Sequence, residues 1–202
     1  MQETKAELRA GILAARRALA AEVRTAEAEA LCARLVDLVR PGDTVCAYFP
    51  VGSEPGAPTM LDALVSAGAI VLLPVAREDA AGTPLPLLWG EYRKGGLVAA
   101  GHGLREPSPP WRPAEAIGAV ALVVVPALAV DRSGTRLGRG AGFYDRSLPL
   151  ADPSARLVAM LRDDEVFDAL PGEPHDVPMT HALTPGRGLL ALAEPPGMAR
   201  PT

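Results

Sequence analysis

Residues 119–125, AVALVVV, constrain this 202-residue chain more than any other stretch. The run is apolar throughout, valine-rich and without polar alternation, which fits a strand buried on both faces of a parallel sheet. Such a strand needs helices above and below it. The chain that leaves it emerges at the sheet's carboxyl edge, where open α/β sheets bind ligands.

What emerges carries chemistry. Asp131-Arg-Ser-Gly134 is a turn signal, followed by Arg136-Leu-Gly138-Arg-Gly140-Ala-Gly142 and then by residues 143–148, long enough for two helical turns. Three glycines at alternate positions let the backbone approach a ligand closely and turn several N–H groups toward one point, and a helix start behind them adds partial positive charge. The pattern lacks the Gly-Lys-Ser/Thr of a Walker loop, and Phe143 stands where a Rossmann fingerprint would need its third glycine. Glycines alone would read as a turn. With Arg136, Arg139, Tyr144 and Asp145 beside them, they read as a polyphosphate cradle.

The string RLGRGAGFYDRSL, residues 136–148, resembles the signature of the 5-formyltetrahydrofolate cyclo-ligase family, commonly RLGxGxGYYDR, with Phe143 in place of the first tyrosine. The resemblance implies an α/β fold: a single three-layer domain over residues 1–192 with a mostly parallel central sheet flanked by helices (NagB/RpiA/CoA transferase-like). It also implies ATP- and magnesium-dependent cyclisation of 5-formyltetrahydrofolate to 5,10-methenyltetrahydrofolate through a phosphorylated formyl group. On the matched positions it assigns Arg136, Gly138, Arg139, Gly140, Ala141, Gly142, Phe143 and Tyr144 to ATP, with Arg136, Arg139 and Tyr144 in catalysis. Gly140 and Tyr144 would also face the folate, and Asp145 the metal.

Composition sets the limits around this site. A chain that is 49% hydrophobic and 22% charged is long enough for one well-buried core, so one domain is expected. The formal charge of −4 argues against a general nucleic-acid binder and makes any anion site local. Arginine outnumbers lysine 18 to 2, a skew that with the abundant alanine reads as coding bias and leaves Lys5 and Lys94 conspicuous. Cys32 and Cys46 have no metal-ligand spacing and read as small buried hydrophobes, which fits a cytoplasmic protein. No run reaches the ~18 apolar residues of a membrane span, and the acids near the N-terminus count against a targeting segment. Small-molecule substrates, no nucleic acid, no membrane and a monomeric state are expected.

Taken in order, residues 3–20 read as a helix with Leu8, Ile12, Ala15 and Leu19 on one stripe and Lys5, Arg9 and Arg16 on neighbouring faces. Helical spacing sets Lys5 beside Arg9, which alone reads as a solvated pair. The family resemblance implies instead that both contact ATP phosphates. A structural helix follows over 25–39, stopped by Pro41-Gly42, and then a strand over 43–49. The resemblance gives the loop behind that strand two folate contacts, Phe49 and Glu54. Residues 59–67 read as a helix, 70–74 as a buried strand, and 84–92 as a strand with Trp89 and Tyr92, expected as a hairpin laid over the site. The alternation itself indicates a parallel α/β sheet.

Gly101-His-Gly-Leu-Arg-Glu106-Pro107 resembles the family's GxxGIxEP block. Trp111, in the proline-rich loop behind it, reads equally as a local plug or as a wall for the pterin. Residues 156–161 and 182–184 are further strands. Glu173-Pro-His-Asp176 resembles the family's ExxHD block, whose aspartate helps bind magnesium, so Asp176 joins Asp145 as a metal ligand; His175 reads as a loop residue orienting its neighbours. The proline-rich tail, 193–202, is expected to be disordered. A paralogue acting on another substrate, an isomerase-like enzyme and a nucleotide- or folate-binding protein without turnover are the competing readings.

Overall fold

The computed structural model describes residues 4–101, 104–172 and 176–192. His102, Gly103, Glu173, Pro174, His175 and the 193–202 tail lie outside the described residues.

Helix α1 (Lys5–Ala18) starts where Thr4 and Glu7 form a capping box: the Glu7 N–H donates to Thr4 Oγ1 at 3.3 Å and the Thr4 N–H to Glu7 Oε2 at 2.8 Å. Two orphan donors at the helix start are thereby satisfied. Helix α2 (Ala21–Val36) begins one turn earlier than its hydrophobic pattern predicts, and Thr25 lies inside it, its hydroxyl donating to the Ala21 carbonyl at 3.0 Å. Strand β1 (Thr44–Cys46), helix α3 (Thr59–Ser66) and strand β2 (Ile70–Val75) follow, then β3 (Leu88–Glu91) and the hairpin of β4 (Leu97–Ala99) with β5 (Arg105–Pro107). After β6 (Trp111–Arg112) and a 3-10 turn (Ala114–Ala119) come β7 (Leu122–Pro126), β8 (Ala129–Asp131), β9 (Arg136–Leu137) and α4 (Phe143–Ser147). Strands β10 (Arg156–Met160), β11 (Val166–Phe167), β12 (His181–Thr184) and β13 (Gly188–Ala191) complete the order.

The main sheet has eight strands in the order β13-β12-β10-β7-β1-β2-β3-β6. Its centre, from β12 to β2, is parallel, and both margins are closed by antiparallel strands. Register aligns the faces: Val45 sits beside both Val71 and Leu122, and Cys46 beside Leu72 and Val123. Val45, Val71, Leu122, Val124 and Val158 therefore face α2 and α3, meeting Leu31, Leu35, Leu61 and Leu64. Cys46, Leu72, Val123, Val125 and Leu157 face the opposite layer, with Ile117, Leu148 and Trp89. Each such valine or leucine gains about 1.5–3 kcal/mol from full burial, so a charge at Val123 or Val124 would break the sheet between its two layers. The three-layer, mostly parallel α/β architecture is the expected one.

Two differences matter for the site. Strand β3 runs antiparallel beside β2 in the main sheet, with Trp89 1% exposed in the core, so the 84–92 segment extends the sheet and does not lie over the site as a hairpin. A small second sheet, β11-β8-β9, went unforeseen; Leu8, Ile12 and Leu13 of α1 pack on its Leu128, Ala129 and Leu137. Among the described residues no helix is long and apolar enough to cross a membrane.

Candidate active site

Strands β1 and β7 are neighbours whose next partners, β2 and β10, lie in opposite directions. The strand order reverses between them, and at such a point the carboxyl ends of the strands diverge and leave a crevice. A cavity of about 210 Å³ sits there, with Tyr48 and Phe49 from the chain leaving β1, Pro126, Ala127 and Leu128 from the chain leaving β7, and Arg136 and residues 138–145 around it. Its wall is mostly apolar, which strengthens every electrostatic interaction made inside it.

The loop between β9 and α4 is shaped by its glycines. Gly140 and Gly142 have φ of +99° and +82°, a left-handed conformation that side chains with a Cβ rarely adopt. Gly138 differs: a Cβ there would fall 2.5 Å from Arg136 Nη1 and push the tip of that arginine aside. Helix α4 is only five residues long, shorter than the two turns expected, so the positive character of the loop rests mainly on guanidinium groups and less on a helix dipole.

Three arginines reach this loop. Arg9 comes from α1, its Nε donating to the Gly138 carbonyl at 2.9 Å while its guanidinium passes 3.7 Å from where a Cβ of Gly140 would lie. Lys5 is half-buried one turn before it. Arg136, its side chain 8% exposed, donates through Nη2 to Asp145 Oδ1 at 2.5 Å and lies 5.7 Å from the centre of the Tyr144 ring. Arg139 is half-exposed and places Nε 3.1 Å from Glu54 Oε1.

Glu54 is held in the cavity wall by its own loop. Its Oε2 accepts from the Val51 N–H at 2.9 Å, and the Tyr48 hydroxyl pins the same loop through the Pro55 carbonyl at 2.7 Å. Burial pushes the Glu54 carboxyl above the usual carboxylate range, against the opposing pull of the Val51 N–H and Arg139. Tyr144 turns its ring toward the cavity, and its buried hydroxyl has no hydrogen-bond partner among the described residues. Burial first, and the Glu54 charge second, push that phenol far above its ordinary pKa, so it stays protonated and able to donate.

Most residues expected at the site are thus brought together: Phe49, Glu54, Arg136, the 138–142 loop with Ala141, Phe143, Tyr144 and Asp145 line the cavity, and Arg9 braces the loop. Trp111 is not in that wall. Its indole N–H donates to the Pro107 carbonyl at 2.9 Å and its ring lies 4.3 Å from the Arg77 guanidinium, contacts that fit the reading of a local plug. Asp176 also does not line the cavity; it lies half-buried in a segment docked on the 131–135 turn, where the Met179 N–H donates to the Gly134 carbonyl at 2.8 Å. Among the described residues no group of three or more His, Cys, Asp or Glu is arranged to hold a metal.

Sequence reasoning gave no role of their own to three contributors. Tyr48 could have been suspected from an aromatic residue at a strand exit before Pro50. Glu106, 5% exposed, accepts from the Ala76 N–H at 2.8 Å and from Arg77 at 2.9 Å, tying the β4–β5 hairpin to the end of β2. Arg16 carried no signal, because its partner Glu165 lies 149 positions away.

Fold and site together define an α/β protein with a cavity at the switch point of a parallel sheet, lined by arginines and glycine-turn amides of the kind suited to phosphate. The chain belongs to the 5-formyltetrahydrofolate cyclo-ligase family, whose model matches residues 1–185. It is 61% identical over 189 residues to a protein of Mycolicibacterium smegmatis named 5-formyltetrahydrofolate cyclo-ligase, covering 94% of this chain and 97% of that one. An Escherichia coli K12 protein of the same name is 29% identical over 145 residues, 71% of this chain and 79% of the relative. The solution structure of the Aquifex aeolicus 5,10-methenyltetrahydrofolate synthetase matches with a TM-score of 0.75 at 25% identity, covering 97% of this chain and 96% of that one. The corresponding Mycoplasma pneumoniae enzyme has the same fold, with a TM-score of 0.67 at 18% identity, covering 88% of this chain and 96% of that one.

Proposed function

We propose that this chain cyclises 5-formyltetrahydrofolate to 5,10-methenyltetrahydrofolate with consumption of ATP in the presence of magnesium. The observation that carries this reading is the convergence of Arg9, Arg136, Arg139 and the 138–142 loop on a cavity that also holds Phe49, Glu54 and Tyr144. Family membership and the 61% identical cyclo-ligase support it.

The reaction explains the residue types. A formyl oxygen is a poor leaving group, so it first attacks the γ-phosphorus of ATP. The bond to ADP breaks and an iminium phosphate forms. N10 of the folate then attacks the formyl carbon and gives up its proton, and the carbon–oxygen bond breaks to release phosphate. Phosphoryl transfer asks the protein mainly for alignment and positive charge, which the three arginines, Lys5 and the loop amides would supply. Glu54 offers acceptor oxygens to the ring and amino N–H groups of a pterin, and Phe49 an apolar face. The protonated Tyr144 hydroxyl has a donor to spare.

Magnesium, when bound, supplies further charge to the phosphate oxygens. It binds proteins through one or two carboxylates, with phosphate and water completing the shell. Asp145, exposed beside the cavity, fits this role once it exchanges Arg136 for the metal; Asp176, outside the cavity wall, is a second carboxylate only by the family resemblance. The two free cysteines support a reducing, cytoplasmic setting.

The test is turnover. With ATP, magnesium and 5-formyltetrahydrofolate, the near-ultraviolet absorbance of methenyltetrahydrofolate should rise, and it should stay flat when ATP is omitted. Turnover without ATP, or binding of both ligands without turnover, would refute the reading.

A further inference from the structure

One contact joins the two halves of the cavity. Arg139, on the glycine loop, is paired with Glu54, on the loop behind β1, at 3.1 Å, and the glutamate side chain is only 10% exposed. Under the proposed function these residues serve different ligands: Arg139 the phosphates of ATP, Glu54 the pterin. Each ligand draws its residue away from the pair. Glu54 has two carboxylate oxygens, and both are engaged, Oε1 by Arg139 and Oε2 by the Val51 N–H. A pterin edge that presents two N–H donors competes with both for the lone pairs of these oxygens, and most directly with the bulky guanidinium that covers Oε1. A triphosphate that draws Arg139 away leaves a buried carboxylate without its cation.

We infer that the Arg139–Glu54 pair couples the two substrate sites, so that each of ATP and 5-formyltetrahydrofolate raises the affinity of the other. This rests on the function proposed above. The sign follows from elementary accounting. Whichever ligand binds first opens the ion pair at its own expense, and the second finds the pair already open. The cost is incurred once for two ligands, and linkage makes the resulting coupling reciprocal. Opening by ATP exposes a carboxylate that the pterin N–H groups then satisfy, and opening by the folate frees a guanidinium that the phosphates then occupy. Burial already holds the Glu54 carboxyl above its usual range, which shows how poorly the site tolerates this charge when it lacks partners.

The second ion pair of the loop behaves differently. Arg136–Asp145 joins a phosphate contact to a metal contact. Those two ligands arrive together, so its opening falls within one binding event and couples nothing across the cavity. Of the two ion pairs, Arg139–Glu54 is the one that spans residues assigned to different substrates. Because Arg139 is half-exposed, the coupling is modest, roughly three- to tenfold in each dissociation constant.

Titration calorimetry with the full chain tests this, using the β,γ-imido analogue of ATP with magnesium so that no turnover occurs. In the wild type, saturating analogue should lower the dissociation constant of 5-formyltetrahydrofolate by roughly three- to tenfold, and saturating folate should lower that of the analogue by the same factor. In Arg139→Gln the affinity for the analogue should fall, and in Glu54→Gln that for the folate, while in both variants the coupling factor approaches one; glutamine keeps roughly the size of either side chain. A factor of one in the wild type, or a wild-type factor persisting in either variant, overturns the coupling while leaving the proposed function standing. Failure of the wild type to bind either ligand overturns both.

Discussion

Arg16 and Glu165 form a bidentate ion pair inside the protein: Nε meets Oε1 at 2.6 Å and Nη2 meets Oε2 at 2.7 Å, with the residues 1% and 4% exposed. The same Nη2 donates to the Ala127 carbonyl at 2.8 Å, at the end of β7 in the cavity wall. Arg16 lies two helical turns beyond Arg9, so this buried pair fixes the helix that presents Arg9 to the glycine loop.

Removing one partner strands a buried charge, and Arg16→Ala or Glu165→Ala should each cost about 3–5 kcal/mol of stability. Urea denaturation measures it. The double variant should lose less than the sum of the two, because the second substitution removes the charge that the first left unpaired.

Lys5→Ala and Arg9→Ala should raise the KM for ATP by about tenfold or more, the equivalent of ~1.5–3 kcal/mol for one charge-assisted contact, while the folate KM stays nearly constant. Steady-state kinetics with each substrate varied in turn decides this. Equal effects on both constants would remove these residues from the phosphate site.

Glu54→Gln should raise the KM for the folate and also change the response to pH. The folded-state pKa of Glu54 is raised, so the native protein binds its proton more readily than the unfolded chain does. That contribution to stability is present below the unfolded-state value and is lost as pH rises through the raised one. The glutamine variant should therefore melt higher than wild type at neutral pH, with the difference vanishing in acid. In wild type, acidification through the raised pKa should weaken folate binding earlier than an ordinary glutamate would, and the variant should lack that limb.

How much of this was legible depends on whether a signal is local. The strand at Val123–Val125, the stripe of Leu31 and Leu35 and the glycine pattern around Gly140 are properties of consecutive residues, and each appears in the structure where periodicity places it. Arg16 was not legible, since a cation on an amphipathic helix reads as solvated until a distant glutamate is folded against it. The β8–β9 hairpin was hidden for the same reason: two- and three-residue strands carry no period, and only packing against Leu8 and Ile12 defines them. Trp111 reads from sequence equally as a ligand wall or a plug, because its contact with the Arg77 guanidinium is made by a residue distant in the chain.

Tyr144→Phe should separate stability from rate. The buried hydroxyl has no partner among the described residues, so its removal relieves a desolvation cost and should leave the thermal midpoint unchanged or raise it. The turnover number should fall if the hydroxyl finds its partner in the reacting complex. An unchanged rate would make Tyr144 a packing residue.

Asp145→Asn and Asp176→Asn should each raise the magnesium concentration needed for half-maximal rate, and the double variant should do so non-additively, as for two groups sharing one ion. Asp152→Asn, whose carboxylate is occupied by the Ser154 N–H and hydroxyl in a loop away from the cavity, should retain the wild-type magnesium dependence.

The central claim is that phosphate is transferred to the formyl oxygen at the arginine-rich loop, and one labelling measurement addresses it directly. 5-Formyltetrahydrofolate carrying heavy oxygen in its formyl group is turned over with ATP and magnesium, and the released phosphate is analysed by mass spectrometry. The account predicts that the label appears in phosphate, one atom for each methenyltetrahydrofolate formed. Label recovered in water, with unlabelled phosphate, would mean that ATP is hydrolysed without bonding to the formyl oxygen and would contradict it.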